Sequence, residues 1–154
     1  MDVFFAVEAF AAVKDEAAAL CRAHWEETEA SMYGERAGVP VNAAMFEVLE
    51  ATGSLHIVTA RDAAGALAGY AAFCLAPNIA MPGRVQASNL GLYLSPALRE
   101  EPFAALRLLR WAEGSLRERG VFSVAYISPA SRPCDALYRR LGAKITETVW
   151  YKEL

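Results

Sequence analysis

His24 and His56 are the only two imidazoles in the 154-residue chain, and imidazole is the side chain that exchanges a proton near neutral pH. His24 falls on a helical stretch beside Trp25, with Glu26, Glu27 and Glu29 just after it. A charge run of this kind reads first as a solvated helix face, and second as a source of a carboxylate base. His56 lies among strand formers and reads as a packed or surface residue. No Asp or Glu occurs between Asp62 and Glu100, so the middle of the chain offers no carboxylate base. Asn89, in that interval, could hold a water or an acceptor carbonyl, or could satisfy a neighbouring backbone group. Cys21, Cys74 and Cys134 are widely spaced, and no pair has metal-ligand spacing. They read as free buried thiols in a reducing compartment, and no metal site is expected.

The bulk properties narrow the function classes. Hydrophobic residues make up 55% and charged residues 21% of the chain, enough apolar side chains for a packed core. The length suits one domain spanning residues 1–154. A formal net charge of −3 argues against a nucleic-acid partner, which calls for a basic surplus. The longest uncharged stretch, 63–83, is broken by Gly65, Gly69, Pro77, Asn78 and Pro82, so no membrane span is expected. The start Met1-Asp2 lacks a basic segment, so no secretory signal is expected and the protein is placed in the cytoplasm.

Several elements can position these groups. Residues 3–7 form a candidate strand. Ala18, Cys21, Trp25 and Met32 share one face of a helix over about 11–32. Pro40 and Asn42 open a short helix over 43–51, stopped by Thr52-Gly53. Residues 55–60 and 66–76 read as an antiparallel hairpin turning at Gly65. A loop over 76–84 precedes a strand over 86–94, which Pro96 closes. Pro102 stands where the next helix starts. Leu106, Leu109, Ala112 and Leu116 mark its buried face up to Gly120, with Arg107, Arg110 and Arg117 on a solvated one. A strand over 121–127, a short helix over 133–141 and a last strand over 143–151 complete the chain. This order predicts an α+β domain with a mixed sheet flanked by helices, its strand–helix–strand part parallel and right-handed.

This order, with its local motifs, resembles the GNAT acyltransferases from His24 to Leu154, and most nearly a bacterial and phage branch of small GNAT proteins. The segments that carry the resemblance are His24-Trp25-Glu26-Glu27, Val58 to Asp62, Gly69-Tyr70-Ala71, Leu92 to Pro96, Leu106 to Glu113, Leu141-Gly142 and Tyr151 to Leu154. The resemblance implies a strand, here 86–94, splayed from its neighbour so that Leu92, Tyr93 and Leu94 pair with the pantetheine arm of acetyl-CoA. An open strand edge supplies the donors and acceptors that two amides need. It also implies a diphosphate loop at Arg99-Glu100-Glu101-Pro102-Phe103-Ala104, where successive N–H groups meet a helix dipole. A further motif aligns with Ser131 to Tyr138. There Ser131 lies in the cofactor site and Tyr138 protonates the departing thiolate. A backbone N–H near Leu94 polarises the thioester carbonyl. The helix carrying His24 borders the acceptor groove, which makes His24 and Asn89 candidate substrate ligands. The acceptor would be a small-molecule or peptide amine, and paired strand edges would allow a homodimer.

The chain departs from the family pattern at specific points. Pro102 replaces a glycine and removes an N–H donor. Glu100 and Glu101 put negative charge beside the diphosphate. Leu90 stands where the nearest relatives carry Asp, and 78–81 lacks their histidine-containing turn. Two functions therefore stand side by side: direct acetyl transfer to an amine, or a catalytically reduced GNAT-fold scaffold that binds ligands or proteins.

Overall fold

A computed structural model describes residues 2–34 and 41–154. Strand β1 (Phe4–Val7) leads into helix α1 (Phe10–His24). Ala9 at the α1 N-cap has no side-chain oxygen to offer. The Glu50 carboxylate supplies it from elsewhere in the fold, accepting from Phe10 N at 2.5 Å and Ala11 N at 3.2 Å. A negative group on these orphan N–H donors also suits the helix dipole. The expected single helix over 11–32 is a continuous run with a flaw inside it. Trp25–Glu29 form a π-turn, with the Ala30 N–H bonding to Trp25 O, before α2 (Ala30–Tyr33) resumes. Sequence periodicity missed this turn, because the 3.6-residue pattern continues on both sides of it. Helix α3 (Ala43–Ala51) is capped by Asn42, whose side chain accepts from Met45 N. The suggested role of Pro40 lies outside the described residues.

Strands β2 (Leu55–Arg61), β3 (Leu67–Pro77), β4 (Val85–Leu94) and β5 (Val121–Ala125) complete a five-stranded sheet in the order β1-β2-β3-β4-β5. The first three pairings are antiparallel, and β4 pairs with β5 in parallel through the crossover helix α5 (Ala104–Glu118). The mixed sheet and hairpin follow the sequence reading. Pro96 not only closes β4 but opens a one-turn helix, α4 (Pro96–Arg99), capped by Ser95 Oγ. Helix α5 starts two residues later than Pro102 suggested, after Phe103 at φ +59°. Its buried face is Ala104, Leu108, Leu109, Ala112 and Leu116, packed on Val58, Ala71, Phe73 and Ala87 of the sheet. Leu106 is only half-buried, and Arg107, Arg110 and Arg117 are exposed as expected.

Helix α6 (Asp135–Arg140) follows, but the expected last strand over 143–151 does not form. A strand needs a partner edge to satisfy its backbone. Residues 143–154 have none among the described residues, and Ile145, Val149, Trp150 and Tyr151 are exposed. β5 is therefore a sheet edge. The cysteines, expected buried, are free but only half-buried. No helix of the described residues is long and apolar enough to cross a membrane.

His56 is 1% exposed, and its place is structural. Arg119 donates to its Nδ1 at 3.1 Å, so Nε2 carries the ring proton and donates to Ser115 Oγ at 2.8 Å. Ser115 passes the chain on to Ala112 O, and Arg119 also donates to Leu55 O and Gly53 O.

Candidate active site: a cleft between diverging strands

Strand β4 pairs with β5 only from Val85 to Ser88. The cause of the divergence sits at the next two residues. The register with β3 slips between Ala72–Gly91 and Phe73–Asn89, leaving Leu90 as an extra, bulged residue. A bulge bends its strand and redirects side chains. Beyond it, the edge of β4 facing β5 has no ladder partner, so Leu92, Tyr93 and Leu94 present backbone groups to an open V. At the vertex, side chains replace the missing ladder. Asn89 Oδ1 accepts from Ile127 N at 2.5 Å, and the Tyr138 hydroxyl donates to Ile127 O at 2.9 Å. Asn89 is thus a backbone bridge, the second of its two readings above. Tyr138 is buried and stacked on Tyr126 at 4.8 Å, and burial pushes its phenol well above the usual 10. It stays protonated and can donate.

At the open end of the V lies a cleft of about 440 Å3, lined by Leu94, Arg99, Glu101, Phe103, Ala104 and the facing side of α6. Phe103, in the left-handed region, is the one non-glycine residue with positive φ among the described residues. The Ala104 N–H donates to Glu101 O at 3.2 Å, and the next two first-turn N–H groups, of Ala105 and Leu106, are the ones a helix start leaves without an intrahelical acceptor, a small nest suited to an anion. Arg140 enters the same cleft from α6, its guanidinium 5.8 Å from the Phe103 ring. It places a positive charge opposite Glu101, which lines the same cleft. In sequence it was one of two arginines in a helix's last turn, where a cation suits the dipole, so nothing singled it out. Glu100 and Pro102 are exposed and do not line the cleft.

Arg99 lines this cleft with its guanidinium already paired. Its guanidinium meets Glu27 Oε2 at 2.7 Å and lies over the Tyr93 ring at 4.8 Å. Glu27 also accepts from the Tyr93 hydroxyl at 2.6 Å and pairs with Arg132 at 2.7 Å. The Tyr93 hydroxyl first, then Arg132 and Arg99, hold the Glu27 carboxyl down at about 2. Ser131 donates to Thr28 O at 2.7 Å. Ser131 and Arg132 thereby tie the loop before α6 to the π-turn rather than to the cleft.

Across the sheet from the V, His24 meets β4 at the bulge. Its Cε1 lies 3.3 Å from where a Cβ on Gly91 would stand, so a larger residue there would press on the ring and His24 would have to give by a few tenths of an ångström. The imidazole stacks on Tyr93 at 5.3 Å. Nδ1 is 2.8 Å from the Tyr70 hydroxyl, and Nε2 is 3.9 Å from Glu29. Burial lowers the His24 pKa, so the ring is neutral at pH 7. Burial also raises that of Glu29. In sequence Tyr70 was not a site candidate and Glu29 was only one of three carboxylates in a charge run, because the contacts that define them span 46 residues and a π-turn.

No protein-family model matches the chain, and no curated protein matches it in sequence. Solved structures do match in shape. A ribosomal-protein-alanine N-acetyltransferase from Brucella melitensis biovar Abortus superposes with a TM-score of 0.73 at 16% identity, over 99% of each chain. The chain has the GNAT acetyltransferase fold. An aminoglycoside acetyltransferase from an uncultured soil sample gives 0.70 at 16% identity, over 100% of this chain and 98% of that one. A predicted acetyltransferase from Clostridium acetobutylicum, solved with acetyl-CoA, gives 0.71 at 12%, over 99% and 96%. The likeness shows the fold, and identities of 12–16% leave the chemistry to be argued from the side chains.

Proposed function

We propose that this protein transfers the acetyl group of acetyl-CoA directly to an amine. The observation that carries the reading is the edge of β4 left unpaired beyond Ser88, with a group at each end of it. The cleft holding Arg140 meets β4 at Leu94, and His24 stands against Gly91, nearer the bulge. When bound, acetyl-CoA supplies an activated thioester. The nest and Arg140 hold its phosphates, and the unpaired edge of β4 beyond Asn89 holds its amides and offers an N–H to the carbonyl. Neutral His24, oriented by Tyr70, takes the proton of the attacking amine. Tyr138 at the vertex gives a proton to the departing sulfur.

Calorimetric titration with acetyl-CoA tests this. Micromolar affinity, about −8 kcal/mol, is expected, weakened roughly tenfold in Arg140→Ala by loss of a charged contact. Absence of heat up to millimolar ligand overturns it. The Glu27–Arg99 pair and Pro102 favour a second reading, a binding scaffold without turnover. In that case free thiol would not accumulate with any amine. The open edge of β5 and the exposed apolar residues over 145–151 support a homodimer. Light scattering should then give twice the 16.7 kDa chain mass, and a particle of single mass sets the dimer aside.

A further inference from the structure

Beneath α1 lies a second cavity, of about 270 Å3. Phe10, Val13, Ala17, Cys21 and His24 line it from the helix, with Phe46, Ile57, Ala72 and Leu90 among the facing residues. Phe10 and His24 are fourteen residues apart, about 21 Å along a helix axis. So small a volume spread over that length describes a narrow channel rather than a round pocket. Small side chains make it: Ala17 on the helix and Ala72 on β3 leave the gap that larger residues would close.

The two ends of the channel differ. At one end Phe10 packs on Phe46 with ring centroids 5.1 Å apart, and no charged residue among the described ones lines it. The other end opens at Leu90 and Gly91, the bulge where the acyl donor is proposed to sit, and holds His24, Tyr70 and Glu29. Glu29 is the only Asp, Glu, Lys or Arg among the described lining residues. The Trp25 indole also lines this cavity, and its Nε1 is buried without a hydrogen-bond partner among the described residues.

We infer that the acceptor is a primary amine on a slender aliphatic chain, its nitrogen beside His24 and Glu29 and its tail along the channel toward Phe10. This rests on the acetyl-transfer reading above. The one carboxylate among the described lining residues, at the reactive end, selects a cation over an anion. The walls are mostly apolar, with Asn42 and Thr59 as polar exceptions, and offer a polyamine's internal charges no second carboxylate among the described residues, while the narrow bore excludes a branched sugar. In the reaction the bound ammonium first gives one proton to the Glu29 carboxylate; the neutral nitrogen then bonds to the acetyl carbon, the carbon–sulfur bond breaks, a second amine proton leaves to His24, and the thiolate gains one from Tyr138. No oxidant or metal is required.

The test is thiol release from acetyl-CoA with ethylamine, hexylamine, decylamine and spermidine. Each methylene that enters the channel should lower KM by about fourfold, the equivalent of ~0.8 kcal/mol per buried CH2. Spermidine, long but polar, should not share the gain. Ala17→Leu plugs the channel midway, so its gain per methylene should vanish beyond hexylamine while the slope for shorter chains remains. That change of slope separates a plugged channel from a generally weakened fold. Saturation-transfer NMR of decylamine with wild-type protein, without acetyl-CoA, gives an independent reading that needs no variant and no turnover. KM indifferent to chain length, or spermidine preferred to decylamine, overturns the inference and leaves acetyl transfer standing. Decylamine contact by NMR without thiol release from any amine keeps the channel and overturns the transfer reading.

Discussion

Replacing His24 by alanine is expected to lower kcat/KM for the amine by about 10²–10⁴-fold, the usual contribution of a positioned general base. Affinity for acetyl-CoA should stay within about twofold, since the nest and Arg140 lie at the other cleft. The pH profile carries the sharper signature. Burial holds the His24 pKa below its ordinary 6.5, so the wild-type rate should rise with pH through that lowered value and then level. In the alanine variant this limb should be missing. Full rate with the limb intact would remove His24 from the chemistry and leave it a wedge against Tyr93. Tyr70→Phe separates orientation from proton transfer. It leaves the ring in place and should cut kcat with little change in KM.

The second large effect concerns stability. His56 is enclosed between Ser115 and Arg119, and burial first, then the Arg119 charge, pushes its pKa down to about 4. In the unfolded chain the value returns to about 6.5. Between those two values the unfolded state binds a proton that the folded state refuses. Stability therefore falls as pH drops from 6.5 toward 4, and the effect is absent above 6.5. Over the whole window the loss is about 3 kcal/mol, and about 2 kcal/mol of it appears by pH 5. Urea unfolding at pH 7.5 and pH 5 measures it. His24 pulls in the same direction, so the comparison that isolates His56 is His56→Gln, whose side-chain amide can still donate to Ser115. In that variant the drop between the two pH values should shrink to the part His24 contributes. An equal drop in both proteins would show that His56 does not govern it.

Sequence and structure agree wherever one face of an element is buried against a neighbour. The hairpin of β2 and β3 was legible because Gly65 ends a short polar turn between two runs of strand formers. Leu109, Ala112 and Leu116 were legible because helical spacing and burial coincide along α5. The tail over 143–151 shows the opposite case. Its alternation signals an extended chain, but alternation cannot say whether a partner edge is within reach. At the site, Tyr138 and the unpaired edge of β4 stand where motif spacing put them. The reason for the splay was invisible, because Leu90 is bulged only by its pairing with β3. Arg99 carried a matching motif and nevertheless turned to Glu27, since a carboxylate 72 positions away in sequence came within 2.7 Å. Arg140 carried no motif and yet faces the nest. Both outcomes are set by tertiary charge pairing, which one-dimensional spacing does not record.

The π-turn at Trp25–Glu29 has a consequence for how this helix tolerates insertions and deletions. An α-helix advances about 100° per residue, and a π-turn is in effect one residue inserted into that screw. With the extra residue, His24 faces the Gly91 bulge while Glu27 reaches Tyr93, Arg99 and Arg132. Deleting Glu26 would restore uniform i to i−4 bonding and improve the helix taken alone. The Ala30–Trp25 bond would then become an ordinary i to i−4 bond and the flanking turns would keep their phase, but the wide loop that carries Glu27 would be gone and its contacts with Tyr93, Arg99 and Arg132 with it. The locally weaker turn is the one that brings Glu27 to its partners. A single-codon deletion here should do more harm than most substitutions along α1.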